Sequence, residues 1–315
     1  MRVYILGAGA SHHAGYPLAA QLGSALKTWT ESSTDGENHR SVLTQLEECG
    51  DLSNLEGLLT SIVAERGVES PFNVKEAIRD FFWSLRSKDA PGYSAFAKNR
   101  VAPGDVILTF NYDLALEREL KLEKMWEVWD GYGFPIGDKI ALSSRVKVLK
   151  LHGSVNWHGL LFGGHFSWVN GSLGSRPVIW GREFKFLGYP EGTNDPLAET
   201  GSYTDAFILP TYSKKFYVEA SFGKEWVPFW DSIWNQAEDA LRKADEILVL
   251  GYSLPPADER AVRMILEVPR KHAKITIGCR IDSMEIARRF KANGYNRVIT
   301  TTMKFEDWSA KEQKM

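Results

Sequence analysis

Cysteine is nearly absent from this sequence. Cys49 and Cys279 are its two, and they form no CxxC pair. A four-cysteine zinc ribbon is therefore excluded, and the two are read as reduced core thiols. No apolar stretch reaches the roughly 18 residues that a membrane-spanning helix needs, so no membrane association is expected. A leader-like basic and apolar segment is also missing before the first strand-like run, so the expectation is a cytoplasmic protein. Neither sign of charge dominates: 38 Lys and Arg stand against 40 Asp and Glu, a net charge of −2. That leaves no basic footprint for direct nucleic-acid binding. No His, Asp or Glu spacing matches a metal site, and the adjacent His12 and His13 cannot easily face one ion, so no metal is expected.

What is present is an ordinary globular composition, 43% apolar and 25% charged over 315 residues, enough for a large core. The apolar run Val3-Tyr4-Ile5-Leu6 reads as a buried parallel strand. A glycine turn follows it, and then a helix expected from Pro17 to Trp29. Residues 31–100 read as a helical insertion, with a polar loop over 31–40 and helices over 41–64 and 74–85. Strands are expected at 105–110 and 145–151, with a helix at 114–122 between them. Residues 157–225, rich in Gly, Trp, Phe and Tyr, read as a second insertion of short strands and loops. A helix over 222–243 carries Trp226, Trp230 and Trp234 at a spacing of four. The remainder alternates strand and helix: strands at 246–250, 274–278 and 297–301, helices at 257–267 and 283–292. The expected fold is α/β and Rossmann-like: a parallel sheet with helices on both faces, in one domain of 315 residues carrying the two insertions.

Three motifs sit just after strands. Gly7-Ala8-Gly9-Ala10-Ser11 lies between a strand and a helix, where glycines let backbone amides approach a pyrophosphate; a tight turn without ligand is the other reading. Asn111 and Asp113 follow the second strand and His152 the third. Ligands of open α/β sheets bind outside the carboxyl ends of strands, so these residues are expected at one crevice. Asn111 can hold a ribose hydroxyl or a water, Asp113 can support a ribose, and His152 can accept a proton near neutral pH. Each also has a bland reading, Asn111 and Asp113 as helix caps and His152 as a turn residue. Gly251-Tyr252-Ser253 is either a second phosphate or ribose contact or an ordinary loop. Arg280 and Asp282 are candidate ribose readers, and His158 and His165 are structural or line the pocket.

Together these motifs resemble the sirtuin-like family, of silent information regulator type. The family's glycine turn and following Gly-x-Pro are similar to Gly7-Ala8-Gly9-Ala10-Ser11 and Gly15-Tyr16-Pro17. Its T-Q-N-I-D element resembles Thr109-Phe110-Asn111-Tyr112-Asp113, its catalytic H-G resembles His152-Gly153, and its late G-x-S-L loop resembles Gly251-Tyr252-Ser253-Leu254. The zinc ribbon is absent, Phe110 stands in place of Gln, and Leu18-Ala19-Ala20 in place of Asp-Phe-Arg. The resemblance is to the zinc-less bacterial branch, whose members hydrolyse NAD and often serve antiphage defence. It implies cleavage of the nicotinamide–ribose bond of NAD as substrate, with Asn111 and His152 catalytic. The cofactor-binding set it implies is Gly7, Ala8, Gly9, Ala10, Ser11, Pro17, Asp113, Gly251, Ser253 and Arg280. A gate is also expected, either a protein activator or a homo-oligomer. The other readings are a non-catalytic sensor of NAD or ADP-ribose, and an NAD-dependent ADP-ribosyl or acyl transferase.

Overall fold

The computed structural model describes residues 1–67, 72–134, 143–160, 167–169, 172–174, 185–186, 203–211, 227–279 and 281–311. Six of the strands, numbered in chain order, form the main sheet: β1 (Arg2–Leu6), β2 (Val106–Thr109), β3 (Lys147–Lys150), β9 (Glu246–Leu250), β10 (Lys274–Gly278) and β11 (Val298–Thr300). Their spatial order is β11-β10-β9-β1-β2-β3, and every neighbouring pair is parallel. Numbered in chain order, this is the 3-2-1-4-5-6 arrangement of a dinucleotide-type doubly wound sheet, whose order reverses between β1 and β9. Crossovers of one hand run outward in opposite directions from that point, so the two halves place their helices on opposite faces.

Burial explains the strand sequences. Val3, Tyr4, Ile5 and Leu6 in the centre are wholly buried, as is most of β9, and both read as unbroken apolar runs. The edge strand β11 leaves Ile299 and Thr300 exposed. Between β3 and β9 lie β4 (Gly153–Leu160), β5 (Ser167–Val169), β6 (Ser172–Gly174), β7 (Lys185–Phe186) and β8 (Tyr203–Phe207). They form a three-stranded sheet of order β7-β4-β8 and an antiparallel β5–β6 pair. Among the described residues, no helix is long and apolar enough to cross a membrane.

Several boundaries differ from expectation. The first long helix spans Leu22–Ser32, not from Pro17, because Leu18 is extended and its amide donates to Gln21 Oε1, opening a short 3-10 turn at Ala19–Gln21. The polar loop after it contains a short helix, Thr34–Glu37, whose Gly36 amide donates to the Ser33 hydroxyl. The single helix expected over 41–64 is two, Arg40–Cys49 and Leu55–Arg66, parted where Asp51 takes the Ser53 amide on its carboxylate. A helix not foreseen, Pro91–Asn99, begins with proline in its first turn, and a C-terminal helix, Phe305–Ala310, packs on it. The helical residues of 31–100 share one apolar cluster with the sheet, through Leu43, Leu59, Ile78 and Phe96. The tryptophan face of the Val227–Lys243 helix is buried at Trp230 and Trp234; Trp226 lies outside the described residues.

Candidate active site

The carboxyl ends of β1, β2, β3 and β9 converge. After β1, the residues Ala8–Ser11 form one short helical turn. The amides of Gly7, Gly9 and Ala10 donate to the carbonyls of Leu250 (3.2 Å), Gly251 (3.0 Å) and Gly7 (2.9 Å). Neither Gly7 nor Gly9 has room for a side chain: a Cβ would lie 2.6 Å from the Gly251 oxygen or 2.9 Å from the Gly251 Cα. Gly251 itself has φ of +63°, and a Cβ there would meet the Ala10 nitrogen at 2.3 Å. These glycines are therefore required by the close approach of two backbone segments at the switch point. The Gly7 amide is thus bonded to the last residue of β9 and the Gly9 amide to the residue just after that strand. Ala10 is fully buried, while Ala8 and Gly9 keep partial exposure.

Four side chains then form one hydrogen-bonded group. Asn111 Nδ2 donates to the Gly7 carbonyl and to Ser11 Oγ, both at 2.9 Å. Ser11 Oγ donates to Asp113 Oδ2 at 2.6 Å and lies 2.8 Å from the Tyr93 hydroxyl, which therefore donates to it. Asp113 Oδ1 accepts the Ala115 amide at 3.1 Å, at the start of the Ala115–Leu122 helix. Ser11 and Asp113 are buried, and Ser11 links Asp113 to Asn111. A carbonyl oxygen can only accept, so the Asn111 amide can sit in one sense alone: both Nδ2 hydrogens are used, and Oδ1 is the group left over. Burial, with Asp113 nearby, raises the Tyr93 phenol well above its ordinary pKa and keeps it a donor.

Beneath this group runs a buried ion pair. Lys150, at the end of β3, places Nζ 2.7 Å from Glu117 Oε1 and also donates to the carbonyls of Tyr112 and Asp113. Tyr132 donates to Glu117 and accepts from Asn156 Nδ2. The ammonium thereby ties down the two residues that follow Asn111.

His152 lies in a second cluster. Its ring meets Phe110 edge-on, with centroids 5.0 Å apart, and Phe110 stacks on Tyr252 at 4.2 Å and 11°. His152 Nε2 is 3.6 Å from Asp258 Oδ1, while Asp258 Oδ2 accepts the Tyr252 hydroxyl at 2.9 Å. Burial and the charge of Asp258 hold the Tyr252 phenol well above its ordinary pKa, so it remains a donor. Asp258 is the N-cap residue of the Glu259–Glu267 helix, yet its carboxylate makes no capping bond. Forgoing a side-chain cap costs about 1 kcal/mol.

Sequence reasoning missed Tyr93 and Asp258. The signal for the first was Pro91 opening a helix, and for the second an Asp just before a helix, though neither reveals its partner. Ser253 is exposed at the rim. Pro17 instead lines a surface cleft of about 360 Å³ with His12, Gly15, Tyr16 and Gln21, and no residue of the Asn111 group borders it. Arg280, His165 and the side chain of His158 lie outside the described residues, and Asp282 caps the Ser283–Ala292 helix without a side-chain bond. Among the described residues, no group of three or more His, Cys, Asp and Glu could hold a metal ion.

The helix that presents Tyr93 is fastened by His13, whose Nε2 accepts the Tyr93 amide at 3.1 Å and whose ring packs on Phe305. Burial lowers the His13 pKa. The stability it contributes is therefore complete above the ordinary histidine pKa of about 6.5 and is lost as the pH falls below it, where the unfolded chain takes up a proton the folded site resists. Denaturant unfolding near pH 7.5 and near pH 5 should show a smaller acid loss in His13→Gln than in the wild type. Equal losses would clear His13 of this role.

No family model matches the chain, and no curated protein matches it. Among solved structures, it is similar to a sirtuin studied for substrate affinity, at 13% identity over 98% of this chain and 91% of that one, with a TM-score of 0.45. It is also similar to a Sir2 enzyme studied for mechanism and regulation, at 17% identity over 98% and 88%, with a TM-score of 0.44. A third is a Sir2 homologue in complex with NAD, at 13% identity over 98% and 86%, with a TM-score of 0.42. The chemical content of the site lies in its own geometry: a strand-order switch point, an asparagine with one acceptor turned outward, and a histidine beside a carboxylate.

Proposed function

We propose that the chain is an NAD hydrolase that cleaves the bond between nicotinamide and ribose. The observation that carries this reading is the Asn111 amide, locked by Gly7 and Ser11 with Oδ1 left to accept from a water or ribose hydroxyl. The dinucleotide would lie across the carboxyl ends of β1 and β9, against Ala8 and Ser253 at the rim. The C1′–N bond breaks and its electron pair leaves with nicotinamide, which departs neutral. Positive charge builds on the ribose, and a water held by Asn111 forms the new C1′–O bond. His152 takes the proton lost from that oxygen and passes it to solvent, and the products are nicotinamide and ADP-ribose. Fixed placement of water and ribose supplies most of the rate gain, which is what a rigid, buried support behind Asn111 provides.

Phe110 supports hydrolysis over deacylation, because it replaces a polar side chain with an aromatic wall against His152. The wider reading is a single domain acting as a gated antiphage effector in the bacterial cytoplasm, since unrestrained NAD loss would harm its own cell. The gate would be a protein activator or self-assembly.

The test is to incubate the purified chain with NAD and separate nicotinamide and ADP-ribose by chromatography. Release by the wild type and none by His152→Ala is expected. A rise in melting temperature with NAD, without release even as concentration is raised, would instead make the site a sensor. Transfer of ADP-ribose to protein, or deacylation of an acetylated peptide, would make it a transferase.

A further inference from the structure

We propose that Tyr93 positions the Asn111 amide through Ser11, and that Phe305 of the C-terminal helix holds Tyr93 in place to do so. The proposal rests on the hydrolase reading for its kinetic arm alone. A hydroxyl has one hydrogen and two lone pairs, and a carboxylate only accepts. Ser11 therefore gives its hydrogen to Asp113 and takes one from Asn111 and one from Tyr93. Its hydrogen-bonding capacity is then full, which fixes where its oxygen sits. Without the Tyr93 hydroxyl, one lone pair of Ser11 is buried with no donor. Ser11 can then turn, and the acceptor that aligns Asn111 turns with it.

Tyr93 belongs to none of the motifs at the strand ends, so packing alone delivers it. It rides on the Pro91–Asn99 helix, whose nine residues are too few to be stable by themselves. The far half of that helix is anchored to the sheet: Phe96 meets the Tyr4 ring edge-on at 4.9 Å, and the Tyr4 hydroxyl donates to the Arg100 carbonyl at 2.7 Å. The first turn, which carries Tyr93, is held differently. Phe305 meets the Tyr93 ring at 5.1 Å, and His13 packs on both, at 5.2 Å from Tyr93 and 5.6 Å from Phe305. Gly92 is pressed into the same place, where a Cβ would lie 2.4 Å from His13 Nε2 and 3.0 Å from Glu306 Cβ. The Phe305–Ala310 helix is in turn tied down at its other end. Asn99 Nδ2 donates to the Ser309 carbonyl at 3.3 Å, Arg100 donates to the Trp308 carbonyl, and the Arg100 guanidinium lies 4.4 Å over the Trp308 ring. Phe305 is thus the link by which the C-terminal helix reaches Tyr93, Ser11 and finally Asn111.

The experiment compares wild type, Tyr93→Phe, Phe305→Leu and the double variant in the full chain. NMR of chain labelled at asparagine, with Asn111→Asp to assign the signal, reads hydrogen exchange of the Asn111 side-chain amide. Nicotinamide release reads kcat and KM, and melting curves read stability. Tyr93→Phe should speed the exchange and lower kcat about tenfold, with KM within about threefold. Phe305→Leu should speed the exchange and lower kcat about threefold. Once Tyr93 is replaced, Phe305→Leu should change neither exchange nor kcat further, although it lowers the melting temperature in both backgrounds. That non-additivity separates positioning from packing. Equal effects of Phe305→Leu with and without the Tyr93 hydroxyl would overturn the proposal, as would an Asn111 exchange rate unchanged in Tyr93→Phe. If the double variant does not fold, the single variants decide: Asn111 exchange at the wild-type rate in either one overturns the proposal. If the wild type releases no nicotinamide, the hydrolase reading fails, and the exchange measurements still test the path from Phe305 to Asn111.

Discussion

Asn111→Asp should reduce nicotinamide release by about 100- to 1,000-fold while the chain still folds. The change is nearly isosteric, so packing is preserved and the chemistry alone is altered. In the native chain both Nδ2 hydrogens are consumed, by the Gly7 carbonyl and by Ser11 Oγ at 2.9 Å. A carboxylate has no hydrogen for the Gly7 oxygen and would repel it. It would also compete with Asp113 for the single Ser11 proton. The new side chain must rotate away, and the acceptor that faced the crevice loses its fixed position. The two lost bonds should cost about 1–3 kcal/mol of stability, within reach of a folded variant. Single-turnover release with a melting curve checks both halves. A folded Asn111→Asp chain that retained release within about threefold would remove Asn111 from the chemistry.

The second large effect concerns stability. Lys150→Met should lower the unfolding free energy by about 3–5 kcal/mol, because it leaves the Glu117 carboxylate buried without its ammonium. Burial already raises the Glu117 pKa, and Lys150 is the charge that opposes the rise. Without Lys150, the Glu117 pKa would rise further, and the carbonyls of Tyr112 and Asp113 would lose a shared donor. Adding Glu117→Met should restore part of the stability but not activity, since the loop behind Asn111 would remain loose. Denaturant titrations of the single and double variants test this. A loss under about 1 kcal/mol in Lys150→Met would mean that the pair is not braced as described.

The apolar runs at Val3–Leu6 and Glu246–Leu250 made the strands legible, because a buried parallel strand needs little more than continuous apolar residues between turn signals. The glycines were legible as a special turn, but the backbone segment they admit was not. They admit the neighbouring strand's loop, a contact between residues some 240 positions apart that no local pattern contains. Asn111 and His152 were visible as polar residues at strand ends. The Pro91–Asn99 helix was not seen, since its nine residues follow a single proline signal.

By itself, then, the sequence determined the strands, most of the helices and the placement of Asn111, Asp113 and His152 at strand ends, since periodicity and turn chemistry act over a few residues. Tertiary structure alone decided the rest. It set β9 beside β1, a pairing that neither strand's own residues specify, and it joined Tyr93 to Ser11 across 82 positions and Ser11 to Asp113 across 102. It also turned Asp258 from its helix towards His152. The reason is that a buried polar group must find a partner wherever packing brings one, and which partner that is depends on how whole elements stack rather than on the residues beside it in the chain.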